Sequence, residues 1–221
     1  MTRPLVIYGA GGHAREVADA VADVNADAER WELLGYLSDD ATSHGVMLNG
    51  VPVLGGRAWL ESHAGVDVLL AVGSPAARQG IVESVRPIGV STPTLVHPAA
   101  RVSRHARLGE GAAVLAQCMV MPNAEIGAFA LLNRASHVSH DCRLGDYATL
   151  APNVHLSGGC TVGEGCDVGV SAAMVPLTSV GEWSIVGAGA VVVRELPANC
   201  TAVGVPARVV RTQAPGWHRR P

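Results

Sequence analysis

A strict six-residue repeat runs through the second half of this 221-residue chain. Every sixth residue from Val102 to Val192 is Leu, Ile or Val, with Met174 as the one exception. The phase never slips, so no inserted loop interrupts the repeat. A repeat this short predicts a solenoid of short strands, three strands to a coil, in which each coil buries its inner face against its neighbours.

A second column of residues lies four positions after each aliphatic residue, and nearly all of its members are small. One large and one small side chain per strand would fill a narrow interior. Four of the five cysteines occupy this small inward position, namely Cys118, Cys142, Cys160 and Cys166. They are therefore expected to be inert, reduced core residues.

A longer period of 18 residues indicates that each coil has three sides. Glycine recurs at this spacing, at Gly109, Gly127, Gly145, Gly163 and Gly181. A glycine at one corner of every coil is expected to supply either a positive φ or a close backbone approach.

Aromatic residues share another 18-residue phase, at Phe129, Tyr147 and Trp183. They are expected to stack along one outer face of the solenoid. An exposed apolar stripe normally marks a contact, so we expect a subunit interface there. The alternative is that the other domain or a tail of the chain covers this face.

The first 95 residues have a different pattern. An apolar run at residues 5–8 precedes a glycine turn and a helical pattern at 15–24, and further strands are predicted at 31–37 and 66–72. Gly9, Gly11 and Ala14 fit the G-x-G-x-x-A dinucleotide pattern between a strand and a helix. A helix N-terminus favours a phosphate, so we expect a nucleotide here rather than a purely structural turn. Alternating strands and helices predict a small parallel sheet.

Composition and charge exclude several classes of protein. The chain is 48% hydrophobic and 16% charged, which predicts a folded core. A net charge of −3 argues against a nucleic-acid surface, and the chain has no lysine that could act in catalysis. The apolar run near the N-terminus is too short for a signal peptide, and no window has the length of a membrane span, so a cytoplasmic protein is expected.

The repeat frame resembles that of the hexapeptide-repeat acyltransferases. The resemblance implies a left-handed parallel β-helix over residues 96–211, a homotrimer, and acetyl-CoA as co-substrate. Residues 1–95 would form a nucleotide-sugar-binding α/β domain, half of a Rossmann-like fold. The segment 203–211 resembles the closing motif of the family, and residues 212–221 are expected to be a loose tail.

The front domain narrows the resemblance to one branch. A G-A-G-G-H turn and a G-Y-L-S-D-D strand end are similar to those of sialic-acid O-acetyltransferases and nucleotide-aminosugar N-acetyltransferases. The resemblance implies that substrate is bound at Gly11, Gly12, His13, Ser38, Asp39 and Asp40. Ser38 departs from the branch, which usually has a first aspartate there.

The segment 133–142 contains the largest number of candidate catalytic side chains. Acyl transfer from a thioester needs a base, and histidine is the usual base near neutral pH. The branch carries N-x-x-S-x-x-x-H-[DE] here, which Asn133, Ser136, His140 and Asp141 match. The resemblance implies that His140 is the general base, Asp141 its modulator and Asn133 a substrate contact. The alternative is an ordinary surface histidine on a turn.

Acetyl-CoA lies along the β-helix in this family, held largely by main-chain groups. The resemblance implies contacts at Thr149, Gly158, Val170 and Ala188. Thr149 departs from the branch, which often has a histidine at this position. A threonine there could still donate a hydrogen bond to the cofactor.

The leading expectation is acetyl-CoA-dependent acetylation of the 4-amino group of a nucleotide-linked sugar. The close alternative is O-acetylation of sialic acid or another sugar hydroxyl. His137 and His155, one coil apart and near His140, raise the further alternative of a γ-carbonic-anhydrase-like metal protein, although the spacing of that class is not found and no metal is expected. A non-catalytic scaffold is the remaining alternative.

Overall fold

The computed structural model describes residues 2–219. The front domain contains a five-stranded sheet with the order β3-β4-β2-β1-β5. Its strands are β1 (Arg3–Tyr8), β2 (Trp31–Leu37), β3 (Met47–Leu48), β4 (Val51–Gly55) and β5 (Asp67–Leu70). The β1, β2, β4 and β5 pairings are parallel, whereas β3 and β4 form an antiparallel hairpin. The predicted parallel sheet therefore gains a mixed edge that the sequence pattern did not indicate.

Three α-helices cover this sheet, α1 (Gly12–Asp27), α2 (Arg57–Glu61) and α3 (Pro75–Val85). Helix α1 begins directly after the glycine turn and buries residues three or four apart, Ala14, Val17, Ala20 and Val21. Helix α3 has Ser74 as a side-chain cap and proline in its first turn, both of which favour a helix start. Short 3₁₀ turns lie at Ala41–Ser43, Arg86–Ile88 and Trp217–Arg219.

The second half of the chain is a parallel β-helix with three faces. Seventeen two-residue strands, β6 to β22, follow one another at six-residue intervals around the coil. We name the faces by what they carry.

The contact face consists of β6 (Leu95–Val96), β9 (Ala113–Val114), β12 (Leu131–Leu132), β15 (Thr149–Leu150), β18 (Asp167–Val168) and β21 (Ile185–Val186), followed by β23 (Cys200–Val203) and the antiparallel β24 (Arg208–Thr212). The histidine face consists of β7 (Arg101–Val102), β10 (Met119–Val120), β13 (His137–Val138), β16 (His155–Leu156), β19 (Ala173–Met174) and β22 (Val191–Val192). The arginine face consists of β8 (Arg107–Leu108), β11 (Glu125–Ile126), β14 (Arg143–Leu144), β17 (Thr161–Val162) and β20 (Ser179–Val180).

The interior of the β-helix follows the two columns read from the sequence. The aliphatic column, for example Val120, Val138 and Leu156, is almost fully buried, and the small column packs beside it in the same cluster. All five cysteines are buried and reduced. Cys118 and Cys142 each lie within hydrogen-bond distance of a carbonyl oxygen of the next coil. Burial raises the pKa of the Cys118 thiol to about 11, which is the behaviour of an inert core thiol.

Two causes were expected for the glycine column, a positive φ or a close approach of the backbone, and the structure shows the second. Gly145 does not have a positive φ; instead, a Cβ built on it would lie 2.5 Å from the backbone nitrogen of Glu164. The positive φ falls two residues later, at Tyr147 and its equivalents in other coils. Close approach of successive backbones therefore explains this column.

The front domain packs on the contact face of the β-helix. Outward residues Ala113 and Leu131 of that face join a cluster with Leu5 and Val17 of the front domain. Phe129 joins a second cluster with Val82 of helix α3. Among residues 2–219, the front domain thereby packs on one of the three faces of the solenoid.

The aromatic stripe is covered within the chain, so the expectation that it marks a subunit interface is wrong. Phe129 is 2% exposed beneath the front domain, and its ring stacks on Tyr147 with centroids 5.6 Å apart. Trp183 is covered by the C-terminal segment, where the His218 ring stacks on it and Trp217 Nε1 donates to its carbonyl oxygen at 3.1 Å. The alternative, coverage by the other domain and a tail, is what the structure has.

The same contacts modify the expectation of a loose tail over 212–221. Residues 217–219 form a 3₁₀ turn that packs on the β-helix, while positions 220 and 221 lie outside the described residues. Within the described part of the chain, no helix is long and apolar enough to cross a membrane.

Candidate active site

His140 lies at the corner where the histidine face turns into the arginine face, between β13 and β14. We call residues 139–142 the His140 corner. Its imidazole is 64% exposed, and its Nδ1 lies 2.8 Å from Oδ2 of Asp141. Asp141 has a φ of 59°, and this left-handed conformation turns the chain at the corner. The predicted base and its acidic neighbour are thus in hydrogen-bonding contact.

A third residue completes this arrangement. Asn123, one coil earlier at the same corner, donates from Nδ2 to Oδ1 of Asp141 at 3.0 Å. The hydrogen bonds from Asn123 and His140 hold the pKa of the Asp141 carboxyl below its usual value, so the group stays ionised. Sequence reasoning missed Asn123, although its 18-residue spacing from Asp141 could have found it.

The next coil supplies the surface on which the imidazole rests. A Cβ built on Gly158 would lie 2.6 Å from Cε1 and 2.7 Å from Nε2 of His140. Gly159 N also donates to the backbone oxygen of His140 at 3.0 Å. Gly158, predicted to contact the cofactor, therefore lies directly beside the ring of the histidine predicted to act as the base.

Asn133 lies at a different corner, between β12 of the contact face and β13 of the histidine face. Its Oδ1 accepts from the backbone nitrogen of Arg134, whose guanidinium bonds to Glu16 of helix α1 at 2.8 Å. A cavity of about 190 Å³ opens between α1 and this corner and is lined by Asn133 and Arg134. The structure thus places Asn133 beside the front domain rather than beside His140.

His13 lies in the first turn of helix α1, just after Gly11 and Gly12. Its Nδ1 is 3.3 Å from Oε2 of Glu16, and its side chain is only 17% exposed. Nε2 is buried without a hydrogen-bond partner. Burial lowers the pKa of His13, with the Glu16 interaction acting in the opposite direction.

The three residues after β2 form a compact polar loop at the carboxyl end of the sheet. Asp39 Oδ1 accepts from the hydroxyl of Tyr8 at 2.6 Å. Asp40 Oδ1 accepts from the backbone nitrogen and hydroxyl of Thr42, and Ser38 Oγ accepts from Asp40 N. Each carboxylate uses one oxygen in these bonds. This loop and the start of α1 lie at the same edge of the sheet, where parallel α/β sheets bind ligands.

Thr149 differs from its expected role. It is 6% exposed, and its Oγ1 donates to Gly73 O at 3.1 Å and accepts from Nη2 of Arg78 at 2.9 Å. Thr149 faces the front domain, and its hydroxyl proton is already donated to a carbonyl oxygen of that domain. The expectation that it donates a hydrogen bond to the cofactor does not fit this geometry.

Arg78 is the residue at this interface that sequence reasoning missed. It is 2% exposed, and it donates to the carbonyl oxygens of Val72 and Phe129 at 2.7 and 2.8 Å. Burial lowers its pKa to about 10. No sequence signal distinguished this arginine from a solvated one on a helix.

Val170 and Ala188 lie one coil apart at the corner that also contains Asn133, and Gly189 N donates to Val170 O at 2.8 Å. Both are exposed, and Val170 is 48% exposed. They are separated from Gly158 by the width of the histidine face. The four predicted cofactor positions therefore lie at two corners and one covered face.

His137 and His155 stack edge to face on the histidine face with centroids 5.5 Å apart. Burial and the neighbouring His155 lower the pKa of His137. Among residues 2–219 no three His, Cys, Asp or Glu side chains are close enough to hold a metal ion. This geometry supplies no support for the metal alternative.

Comparison with known proteins identifies the relatives of this chain. Residues 4–85 match the family model of the PglD N-terminal domain. A GDP-perosamine N-acetyltransferase from Escherichia coli O157:H7 is 30% identical over 135 residues, which is 61% of this chain and 61% of that protein. The chain thus aligns with less than two thirds of that curated relative.

Solved structures align over nearly the whole chain. The acetyltransferase domain of PglB from Neisseria gonorrhoeae, solved also with acetyl coenzyme A, is 34% identical, with a TM-score of 0.88 over 95% of this chain and 100% of its own. PerB from Caulobacter crescentus, in complex with CoA and GDP-perosamine, is 36% identical, with a TM-score of 0.86 over 94% of this chain and 97% of its own.

These likenesses confirm the predicted architecture, an α/β domain ahead of a left-handed parallel β-helix. They also confirm the resemblance to the hexapeptide-repeat acyltransferases. The chain belongs to the hexapeptide-repeat acetyltransferases, in the group that includes the GDP-perosamine N-acetyltransferases and the PglB acetyltransferase domain.

Proposed function

We propose that this protein transfers the acetyl group of acetyl-CoA to the 4-amino group of a nucleotide-linked sugar, with His140 as the general base. The proposal is supported by relatives that carry CoA and GDP-perosamine together in their structures. It is supported in this chain by the hydrogen-bonded pair of His140 and Asp141 at an exposed corner.

The geometry of His140 suits it to accept a proton. With Nδ1 donating to the Asp141 carboxylate, the neutral ring presents Nε2 as the acceptor. The sugar amine attacks the thioester carbonyl carbon, and its surplus proton passes to Nε2. The C–S bond then breaks, and the departing CoA thiolate takes this proton from the imidazolium, which returns the neutral base. The ionised Asp141 stabilises the imidazolium that results. No acyl-enzyme is needed, so the buried cysteines have no part in the step.

The front domain would hold the nucleotide at the carboxyl edge of its sheet. Gly11, Gly12 and His13 lie at the start of α1, where backbone N–H groups and the helix dipole favour phosphate. Asp39 and Asp40 each keep one carboxylate oxygen outside their internal hydrogen bonds. Those oxygens can accept from the base or the ribose.

The position of the His140 corner bears on how copies of the chain would assemble. The front domain packs on the contact face, and the His140 corner is the one corner of the coil that does not border that face. A sugar held by the front domain would therefore meet His140 of a neighbouring copy. We accordingly propose a homotrimer in which each site takes the nucleotide from one subunit and the base from another.

The cofactor positions fit the same scheme. Gly158 at the His140 corner would lie beside the thioester, because it is in contact with the imidazole that would take the proton of the attacking amine. Val170 and Ala188 are exposed at the far edge of the histidine face, where they can contact the remainder of the CoA molecule. Asn133 would contact the substrate from the corner it shares with them.

The test is an assay of free thiol release from acetyl-CoA with GDP-perosamine, UDP- and dTDP-linked 4-amino sugars, and free sialic acid. His140→Ala is run beside the parent, with His63→Ala as a control because that exposed histidine bonds only within its own loop and helix. Thiol release with one aminosugar, lost in His140→Ala and kept in His63→Ala, is the expected result.

Other results would change the assignment. Release with sialic acid alone would move the reaction to O-acetylation while keeping the base. Equal activity of His140→Ala and the parent would contradict the role of His140, and no release with any acceptor would contradict the proposed reaction.

A further inference from the structure

Asn123 and Asp141 occupy equivalent positions in successive coils. Their φ angles are 61° and 59°, a conformation that asparagine and aspartate tolerate better than most residues. Asp141 N donates to Pro122 O at 3.1 Å, which fixes the two corners against each other. The side chains therefore stack, and the amide of Asn123 meets the carboxylate of Asp141.

The contact with Asn123 restricts the orientation of the Asp141 carboxylate, which the hydrogen bond to His140 alone would not do. The side chains of His140 and Asp141 are 64% and 57% exposed, and exposed side chains populate several rotamers. The amide of Asn123 binds Oδ1 of Asp141, and this leaves Oδ2 directed at Nδ1 of His140, 2.8 Å away. Asn123, which is not part of the His140–Asp141 pair, thus orients the carboxylate of Asp141.

We propose that Asn123 is a positioning residue of the acetyl-transfer site, which holds the Asp141 carboxylate so that it accepts the Nδ1 proton of His140. The imidazole is then kept in the tautomer whose Nε2 is the acceptor. This inference rests on the proposed function of His140, and Asn123 would act through Asp141, to which it donates, rather than on a reacting atom.

An amide is suited to this role in a way that its closest isostere is not. The Asn123 side chain supplies an uncharged donor to a carboxylate. An aspartate at this position would have the same shape, but it would supply no donor when ionised and would repel Asp141. The variant Asn123→Asp therefore separates the donor from the space that the side chain fills.

The kinetic test compares Asn123→Ala and Asn123→Asp with the parent. For Asn123→Ala we expect kcat to fall by about three- to tenfold, the range given by loss of one net hydrogen bond, while KM for acetyl-CoA and for the aminosugar stays unchanged. For Asn123→Asp the loss should be at least as large. An unchanged kcat in both variants, or a loss confined to KM, would overturn the proposal.

A double-mutant cycle shows whether Asn123 acts through Asp141. In an Asp141→Ala background the further change Asn123→Ala should alter kcat by less than about twofold, because the group it orients is gone. If Asn123→Ala lowered kcat by the same factor in both backgrounds, the residue would act by another route and the proposal would be wrong.

The chain offers a matched control. Asn49 also has a positive φ, of 48°, and it lies in the turn between β3 and β4, away from the residues proposed to bind substrate or cofactor. Asn49→Ala and Asn123→Ala should lower the melting temperature similarly, since each places alanine in a left-handed conformation. Only Asn123→Ala should lower kcat; an equal loss in Asn49→Ala would assign the effect to a general loss of stability.

A second measurement does not depend on turnover. In ¹⁵N-histidine-labelled parent protein, neutral His140 should appear as the Nδ1–H tautomer, and Asn123→Ala should give a mixture with the Nε2–H tautomer. An unchanged tautomer in the variant would refute the orienting role. If the parent acetylates no acceptor, the proposed function fails, and this spectrum still decides whether Asn123 orients the pair.

Discussion

The imidazole of His140 lies against the Cα of Gly158 in the next coil. A Cβ on Gly158 would approach Cε1 to 2.6 Å and Nε2 to 2.7 Å, well inside van der Waals contact. Gly158 does not have a positive φ, so its backbone conformation would accept alanine. The requirement for glycine is therefore imposed by the histidine ring and not by the turn.

This relationship predicts the effect of Gly158→Ala. The methyl group should displace the imidazole from its place beside Asp141, and kcat should fall by at least about tenfold because misplacement of a catalytic group by 1 Å is costly. The free energy of unfolding should change by less than about 1 kcal/mol, since an exposed ring can move aside. Steady-state kinetics and thermal unfolding measure the two effects.

Gly80→Ala is the control for this experiment. Gly80 lies in helix α3, where a Cβ would meet nothing within 4 Å, so the protein should gain helix stability and keep its activity. Parent-like kcat in Gly158→Ala would show that the ring position seen here is not the one used in the reaction.

Gly145→Ala should lower the stability of the fold, whereas Gly158→Ala should mainly lower kcat. Its Cβ would lie 2.5 Å from Glu164 N and 2.7 Å from the Gly163 carbonyl carbon, and backbone atoms cannot move aside as a side chain can. We expect the free energy of unfolding to fall by about 2 kcal/mol or more, as for other overpacking substitutions. Chemical denaturation measures it, and a stability equal to that of the parent would contradict the assignment of this column to backbone contact.

Arg78→Ala should weaken the contact between the two domains and lower the free energy of unfolding. The substitution removes donors from carbonyl oxygens of both domains and from Thr149, and it leaves a buried cavity. A loss of about 3 kcal/mol in the free energy of unfolding is expected from unsatisfied buried acceptors. Arg57→Ala, which breaks an exposed pair with Glu61, should cost less than about 1 kcal/mol. Similar losses in the two variants would contradict the role given to Arg78.

His13 should make stability depend on pH. Its folded-state pKa is lowered by burial, so the unfolded state binds more protons as the pH falls below about 6.5. Stability associated with neutral His13 is present above pH 6.5 and is lost as the pH falls through the folded pKa. The dependence can reach about 1.4 kcal/mol per pH unit.

The measurement is thermal unfolding of the parent and of His13→Asn between pH 7.5 and 5. The parent should lose more stability on acidification than the variant does, because the other histidines are common to both. Parallel curves would show that His13 is as easily protonated in the folded protein as in the unfolded one.

Removal of residues 214–221 should uncover Trp183. Its indole is 7% exposed beneath His218, and Trp217 bonds to its carbonyl oxygen. Loss of this aromatic contact should lower the free energy of unfolding by about 1–2 kcal/mol and raise tryptophan quenching by iodide. Arg219→Ala, which keeps both rings, should leave quenching unchanged, and equal quenching in the truncated protein would show that the tail does not cover Trp183.

The amino-acid sequence alone determined the β-helix and the contents of its interior. Six-residue periodicity is a local property, since each strand needs one large and one small inward residue whatever lies outside the coil. The pairing of Val120 with Val138 and the burial of Cys142 follow directly from it. The proximity of His140 and Asp141 could also be read from the sequence, because the two residues are consecutive.

Only the tertiary structure decided which part of the chain packs on each outer face of the β-helix. The stripe at Phe129 and Trp183 looked like a subunit interface because periodicity reports that a face is apolar and not which surface covers it. Thr149 looked accessible to a cofactor, yet it lies beneath the front domain and bonds to Arg78. The 18-residue spacing of Asn123 and Asp141 places them at the same corner of successive coils, but the hydrogen bond between them also depends on the rotamers of two exposed side chains, which the repeat does not set. Contacts inside a coil are set by the repeat, whereas contacts on its surface are set by how separate parts of the chain dock.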